Sequence, residues 1–367
     1  MNRLKNDYSK ILDWLDLLNE GKIIPGLDRI KELMQNLENP QKKLEIVMIG
    51  GTNAKGSTCF SLNSTLNEAG IKSGCFTSPH LHSVRERIRI GEQIISIEEF
   101  TLIISKIKDI VKDIELKPTY FEVLTAAAYY YFYSQGVDYA IMEIGLGGEW
   151  DAVNIGHAKV AILTTLGIDH QEYLGTEIEK IGKTKAKIVD RKTTVVTGWK
   201  QRYHSLIPKC KRVDYGENVT SWIELAVNAL NLNVRTVIKE VPGRNEIFKE
   251  FTLDTAHNPQ AIRFSLSRNK GYEKIVIGIL RDKDAKSMIN ELPKQSEILT
   301  CDLKSERALS GSELSEICMN NGYQSRKFDS VIEAMQYAKG SKTLITGSFY
   351  TVSAAREYLN LKGYGEL

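Results

Sequence analysis

A chain of 367 residues is long enough for two domains, and 42% hydrophobic against 26% charged residues is the composition of a soluble globular protein. The formal net charge of +3 offers no basic surface, so neither nucleic acid nor a membrane is expected as the main partner. Cys59, Cys75, Cys210, Cys301 and Cys318 are scattered and lack Cys-x-x-Cys spacing; they read as reduced thiols, and without an apolar signal core or a membrane-length apolar run the protein is expected in the cytoplasm.

Apolar residues at helical spacing predict amphipathic helices over Tyr8–Asn19 and Leu27–Leu37. Ile46–Ile49 is a short apolar run that reads as a buried parallel strand. It breaks into Gly50, Gly51, Thr52, Asn53, Ala54, Lys55, Gly56, Ser57 and Thr58, and a helix is expected from Cys59 to Ala69, closed by Gly70. Strand, glycine turn, lysine and helix together make a phosphate cradle in which backbone N–H groups and the helix N-terminus face an anion. Lys55 would reach the outer phosphates, and Ser57 or Thr58 could face Mg²⁺. Ala54 before the lysine and Gly56 after it break the strict Walker pattern, so an ordinary strand–helix turn with a surface lysine is the alternative.

Strands and helices then alternate. Gly74–Thr77, Val137–Ile144, Lys159–Thr165 and Thr193–Thr197 read as strands; Ser96–Ile114, Phe121–Ser134, Ile178–Val189 and Ser221–Leu230 read as helices. Glu143 closes an almost wholly apolar strand, where an acid requires a compensating cation, and Asp169–His170 follow another. Charges at the carboxyl ends of parallel strands are where doubly wound sheets hold ligands. A linker near Val241–Gly243 separates residues 1–240 from 241–367. The second part alternates again: strands at Phe251–Asp254, Lys274–Ile279, Ile298–Cys301 and Thr343–Thr346, helices at Pro259–Ser267, Lys286–Leu292, Gly311–Met319, Ser330–Ala338 and Thr351–Leu359.

Taken in order, the phosphate loop, Phe76–Leu81, Glu86–Ile90, Pro118–Glu122, Met142–Gly148, Leu166–His170, Tyr173–Gly175, Lys185–Ala186, Pro242–Arg244 and Asp254–Pro259 resemble the folylpolyglutamate synthase/dihydrofolate synthase family of the Mur ligase superfamily. The resemblance runs from about residue 8 to Thr346–Tyr350. It implies an α/β protein with a P-loop-type doubly wound N-terminal domain that binds ATP. A smaller Rossmann-like α/β C-terminal domain would carry the glutamate ligase part. The implied reaction joins the amino group of L-glutamate to a carboxylate through an acyl phosphate. Such chemistry needs a triphosphate clamp, metals to neutralise crowded anions, and a site that excludes water.

By this resemblance Thr52–Thr58 hold ATP, with Arg244 on phosphate and Asp254 near the ribose or adenine. Ser78, Glu143 and His170 match the magnesium ligands. Lys185 matches a lysine carboxylated on its side-chain nitrogen, able to hold a second Mg²⁺; Lys183 and Lys187 flank it, so a solvated basic helix face is the alternative. Lys55, Lys185 and His257 are the catalytic candidates, His257 lining the glutamate and acyl phosphate region. Thr119, Tyr120, Phe121 and Glu122 match the segment that contacts dihydropteroate, and Trp150, Asp151 and Ala152 lie in a second substrate loop. Helix-start packing is the alternative for the first group.

Three departures stand out. Ala54 replaces a glycine, which costs little at negative φ and about a kilocalorie or more at positive φ. Glu149 replaces an arginine beside the expected substrate groove. A β-rich segment and a His-Gln pair are missing before Trp222, which stands where an ATP-facing asparagine is expected and could stack on adenine instead. The reading is a monomeric ligase using ATP and Mg²⁺, and extending a folate with glutamate. Alternatives are a dihydrofolate synthase, a ligase for a modified pterin, and a nucleotide-binding protein without activity.

Overall fold

The computed structural model describes residues 2–18 and 23–361, so the expected helix end at Asn19 and residues 362–367 lie outside it. The first unit holds the described residues up to Ser78, then Val84–Ile168 and Thr176–Lys239; the second holds Pro79–Ser83, Asp169–Gly175 and the described residues from Glu240 on. Its elements begin with α1 (Asn2–Leu17), α2 (Asp28–Asn36), β1 (Ile46–Gly50), α3 (Lys55–Glu68), β2 (Ser73–Phe76), β3 (Ile88–Ile90) and β4 (Gln93–Ile94). There follow α4 (Ile97–Asp113), α5 (Tyr120–Ser134), β5 (Tyr139–Glu143), β6 (Ala158–Leu163), and α6 (Gln171–Leu174), which belongs to the second unit. The first unit closes with α7 (Ile178–Lys185), β7 (Thr194–Thr197), β8 (Arg212–Tyr215) and α8 (Val219–Ala229).

Its sheet runs β4-β3-β2-β5-β1-β6-β7-β8, parallel from β2 to β8, with β3 and β4 antiparallel at one side. In β1 the side chains alternate between two cores. Ile46 and Met48 join residues of α1, α2, α4 and α5, while Val47 and Ile49 join α3 and α8. Both faces are covered, which is why β1 reads as one unbroken apolar run rather than as an alternating pattern. Helix α3 is buried nearly all round, and its polar residues are matched: Asn63 donates to Gly91 O at 2.7 Å and accepts from Ser73 Oγ at 2.8 Å.

The second unit contains β9 (Glu246–Phe248), β10 (Phe251–Leu253), α9 (Pro259–Arg268), β11 (Lys274–Ile277), α10 (Ala285–Asn290) and β12 (Glu297–Cys301). It continues with α11 (Gly311–Asn320), β13 (Ser325–Phe328), α12 (Val331–Ala338), β14 (Thr343–Thr346) and α13 (Phe349–Tyr358). The order is β13-β12-β11-β14-β10-β9, parallel but for β9. Helices α9, α10 and α11 cover one face, α12 and α13 the other. The expected α/β class and the two doubly wound sheets are therefore present. The strands absent from the sequence reading (β3, β4, β8, β9, β13) lie at or next to sheet edges. Edge strands bury little, so β8 and β13 carry mostly exposed or half-exposed polar residues and leave no apolar signature.

Candidate active site

The phosphate loop leaves β1 between the carboxyl ends of β5 and β6, since Ile49 pairs with Glu143 and Gly50 with Leu163. Gly51 has φ +138°, and a Cβ there would fall 2.0 Å from Thr164 Oγ1. Ala54 also has positive φ, +66°, the costly case for an alanine, on the order of 1–2 kcal/mol. Neighbouring bonds hold the loop in this shape. Thr52 Oγ1 donates to Gly167 O at 2.9 Å, Asn53 N donates to Thr165 Oγ1 at 2.9 Å, and Thr164 Oγ1 donates to Asn53 O at 2.7 Å. Thr58 Oγ1 donates to Ala54 O at 2.7 Å, and its side chain is buried. Half-buried Ser57 is the hydroxyl left at the mouth of the loop. The helix begins at Lys55, so its unpaired N–H groups open directly onto the loop.

Two ammonium groups meet at one oxygen. Lys55 Nζ donates to Gly51 O and Thr52 O at 3.2 Å each, and Lys185 Nζ donates to Gly51 O at 3.2 Å. Lys185 is 3% exposed, whereas Lys183 and Lys187 are exposed. The solvated basic face thus consists of the flanking lysines and excludes Lys185. Gly148 makes this approach possible: a Cβ there would lie 2.9 Å from Lys185 O. The buried Glu143 carboxylate accepts from Ser78 N at 2.9 Å, and a Cβ on Gly56 would lie 3.8 and 3.9 Å from its two oxygens. A buried carboxylate held by the Ser78 N–H and facing a helix start with no side chain, with a serine hydroxyl on the same residue, is a donor set that suits a hard divalent cation.

On the acceptor side the fold claims most of the candidates. Thr119 and Glu122 form a capping box for α5, and Glu122 also pairs with Arg29 at 3.0 Å. Tyr120 is buried, with the Arg87 guanidinium 5.4 Å from its ring centre. Asp151 is buried; burial raises its carboxyl to about 6, against N–H groups of Leu146 at 2.8 Å and Val153 at 3.0 Å that pull the other way. Ala152 is buried too. Phe121, half-buried over Gly145, and Trp150, 54% exposed, keep aromatic surface open. Glu149 lies 3.6 Å from Lys187, so its reversed charge is met within the same unit.

Trp222 corrects the sequence reading. It is buried among Val47, Ile49, Ile162 and Val196, and its indole N–H donates to Gly216 O at 2.7 Å. A ring packed this way is core and has no face left for adenine.

The second unit gathers Arg244, Asp254, His257, Asn258, Asp169 and His170. Arg244 stands 5.1 Å from the Phe349 ring centre, and the His257 ring 5.9 Å from the same ring. His257 Nδ1 donates to Thr255 O at 2.8 Å; burial, with Lys283 and Arg244 nearby, pushes the imidazole down to about 4, so it is neutral at pH 7. Burial raises the Asp254 carboxyl, with Arg244 opposing. Asn258 caps α9 by accepting from Ala261 N at 2.8 Å, as the His-Asn-Pro pattern suggests. His170 takes φ +50° at the start of α6. Ser78 and Glu143 belong to the first unit and His170 to the second. Sequence reasoning gave Lys283 no role, yet it is buried against Asp169 at 2.8 Å. A buried lysine requires a partner, and this one lies 114 residues away in the chain.

The Mur ligase middle domain family matches residues 49–245. An Escherichia coli dihydrofolate synthase/folylpolyglutamate synthase is 30% identical over 412 aligned positions that take in 96% of each chain. The chain belongs to the dihydrofolate synthase/folylpolyglutamate synthase family. Its alignment is longer than its 367 residues, so the Escherichia coli relative carries segments that this member of the family lacks. Among solved structures, Escherichia coli FolC in complex with DHPP and ADP superposes with a TM-score of 0.86 at 27% identity, covering 95% of this chain and 97% of that one. A bifunctional Yersinia pestis enzyme complexed with AMPPNP and Mn ion gives 0.86 at 27% identity, covering 96% and 98%.

Proposed function

We propose that this family member is an ATP-dependent amide ligase that adds L-glutamate to a folate, through an acyl phosphate formed on the acceptor carboxylate. The observation that carries the reading is the phosphate loop: Lys55 and buried Lys185 both donate to Gly51 O, and Gly56 at the helix start faces the Glu143 carboxylate. The nucleotide, divalent cation and DHPP held by the solved relatives support it. Residues 1–240 would serve as the ATP-binding domain and 241–367 as the glutamate ligase domain. Five free thiols support a cytoplasmic setting, and one copy of the chain suffices for the reading.

In this mechanism the Lys55 ammonium leaves Gly51 O and Thr52 O and, with the N–H groups at the start of α3, clamps the triphosphate. Arg244 holds phosphate and Asp254 the sugar or base. Ser78, Glu143, His170 and Lys185 would hold Mg²⁺, two ions in all, which neutralises crowded phosphate oxygens. Carbamate formation needs a neutral amine, a form that neighbouring positive charge favours. That form can add CO₂ and release a proton, turning a cation into a carbamate anion. Neutral His257 can stand beside the incoming glutamate amine without repelling it. Phe121 and Trp150 offer the ring surface a pterin would stack on. Dihydrofolate synthase activity is the second reading, since both activities stand in the relative's name. Lys187, 3.6 Å from Glu149, only partly offsets the charge reversal that favoured a modified pterin.

A product assay with ATP, labelled glutamate and a panel of pteroates and folates tests this. Phosphate should appear only when acceptor and glutamate are both present, and the best acceptor separates the two activities. Lys55→Ala and Glu143→Ala should each lose on the order of a hundredfold in rate or more. ATP hydrolysis indifferent to the acceptor, or near wild-type turnover by either variant, overturns the reading.

A further inference from the structure

The Asp169 carboxylate is buried, and three side chains of the second unit close on it. Lys283 Nζ donates to Oδ1 at 2.8 Å, Asn258 Nδ2 donates to Oδ2 at 3.0 Å, and His257 Nε2 stands 3.8 Å from Oδ2. Lys283 is itself buried. The same Oδ1 accepts the backbone N–H of His170 at 2.8 Å, the residue held at φ +50°. A non-glycine residue persists in the left-handed region only where its surroundings fix it. Removing two charges from water is costly, and an ion pair of this kind is retained where it fixes a conformation.

We infer that the buried Asp169–Lys283 pair is a positioning device that holds His170 in its left-handed turn and, through Asn258, anchors the start of α9. The inference rests on the proposed function, in which His170 faces a divalent cation; it adds two residues to which no role has been given. Asn258 ties the device to the start of α9, so one carboxylate locates the His170 turn and the His-Asn-Pro turn together. Lys283 never needs to touch substrate in this scheme. Its task is to hold the Asp169 carboxylate in place, and Asp169 in turn fixes the His170 backbone by accepting its N–H.

Charge removal in steps tests the pair: Asp169→Asn, Lys283→Met, and both together. Mn²⁺ binding in the presence of AMPPNP, followed by electron paramagnetic resonance, reports on positioning without turnover. Each single variant should weaken Mn²⁺ binding about tenfold or more while unfolding at a temperature close to that of the double variant or below it. The double variant should bind Mn²⁺ no more weakly than the weaker single, because both changes act through one pair. Wild-type Mn²⁺ affinity in the folded single variants, or losses that multiply in the double, overturns the inference. If one single variant fails to fold, the double, which removes both members of the pair, is compared with the other single, and wild-type Mn²⁺ affinity in the double overturns the inference. A wild-type protein that binds no Mn²⁺–AMPPNP would instead overturn the proposed function on which the inference stands.

Discussion

The phosphate loop of the first unit and the Asp169 cluster of the second are both polar sites at the carboxyl ends of parallel strands, built on opposite principles. The loop is made of backbone. Its cations rest on carbonyl oxygens, its shape depends on Gly51 and a left-handed Ala54, and its bracing threonines lie in one neighbouring segment, Thr164–Thr165. The Asp169 cluster is made of side chains brought from 89 and 114 residues away, and its stability rests on charge pairing inside the protein. A backbone site tolerates changes of side chain at many positions but depends on a few conformations. A buried charge network fails when any one partner is lost.

Lys185 gives the largest effect, because there the backbone site depends on a buried charged side chain. Lys185→Ala should be nearly inactive, and acetate, small enough for the vacated space, should partly restore the rate where chloride at equal ionic strength does not. Full activity without additive would remove Lys185 from the site. Trp222 tests the core beneath the loop. Trp222→Ala should destabilise the protein by about 3 kcal/mol or more through loss of packing, while Trp222→Phe should leave the KM for ATP within about twofold. A large rise in KM for Trp222→Phe with unchanged stability would return the ring to the nucleotide.

The smallest effect concerns His257. Its folded value of about 4 lies below the ordinary value of about 6.5, so between the two the unfolded chain takes up a proton that the folded protein refuses. Stability is therefore full above about pH 6.5 and falls as pH drops toward 4, by about 2 kcal/mol at pH 5. Asp151, raised to about 6, works the other way and partly offsets the loss. Urea unfolding at pH 7 and pH 5 should show a smaller drop for His257→Gln than for the wild type; equal drops would mean that the histidine titrates normally.

Much of this protein follows from local sequence. Apolar runs such as Ile46–Ile49 and Val137–Ile144 fix the central strands, since a strand covered on both faces has to be apolar throughout. Gly50–Thr58 forms a phosphate loop from its own order of residues, and Thr119 with Glu122 caps its helix across three positions. These signals act over a few residues, so one chain read in order contains them. Tertiary structure alone decided that Lys185 is buried while Lys183 and Lys187 are not, because helix periodicity cannot say which polar face meets a glycine such as Gly148. It also turned Trp222 into core and gave Lys283 its partner. Edge strands stayed hidden for the same reason: their pairing satisfies backbone groups and leaves no demand on the side chains that could be read beforehand.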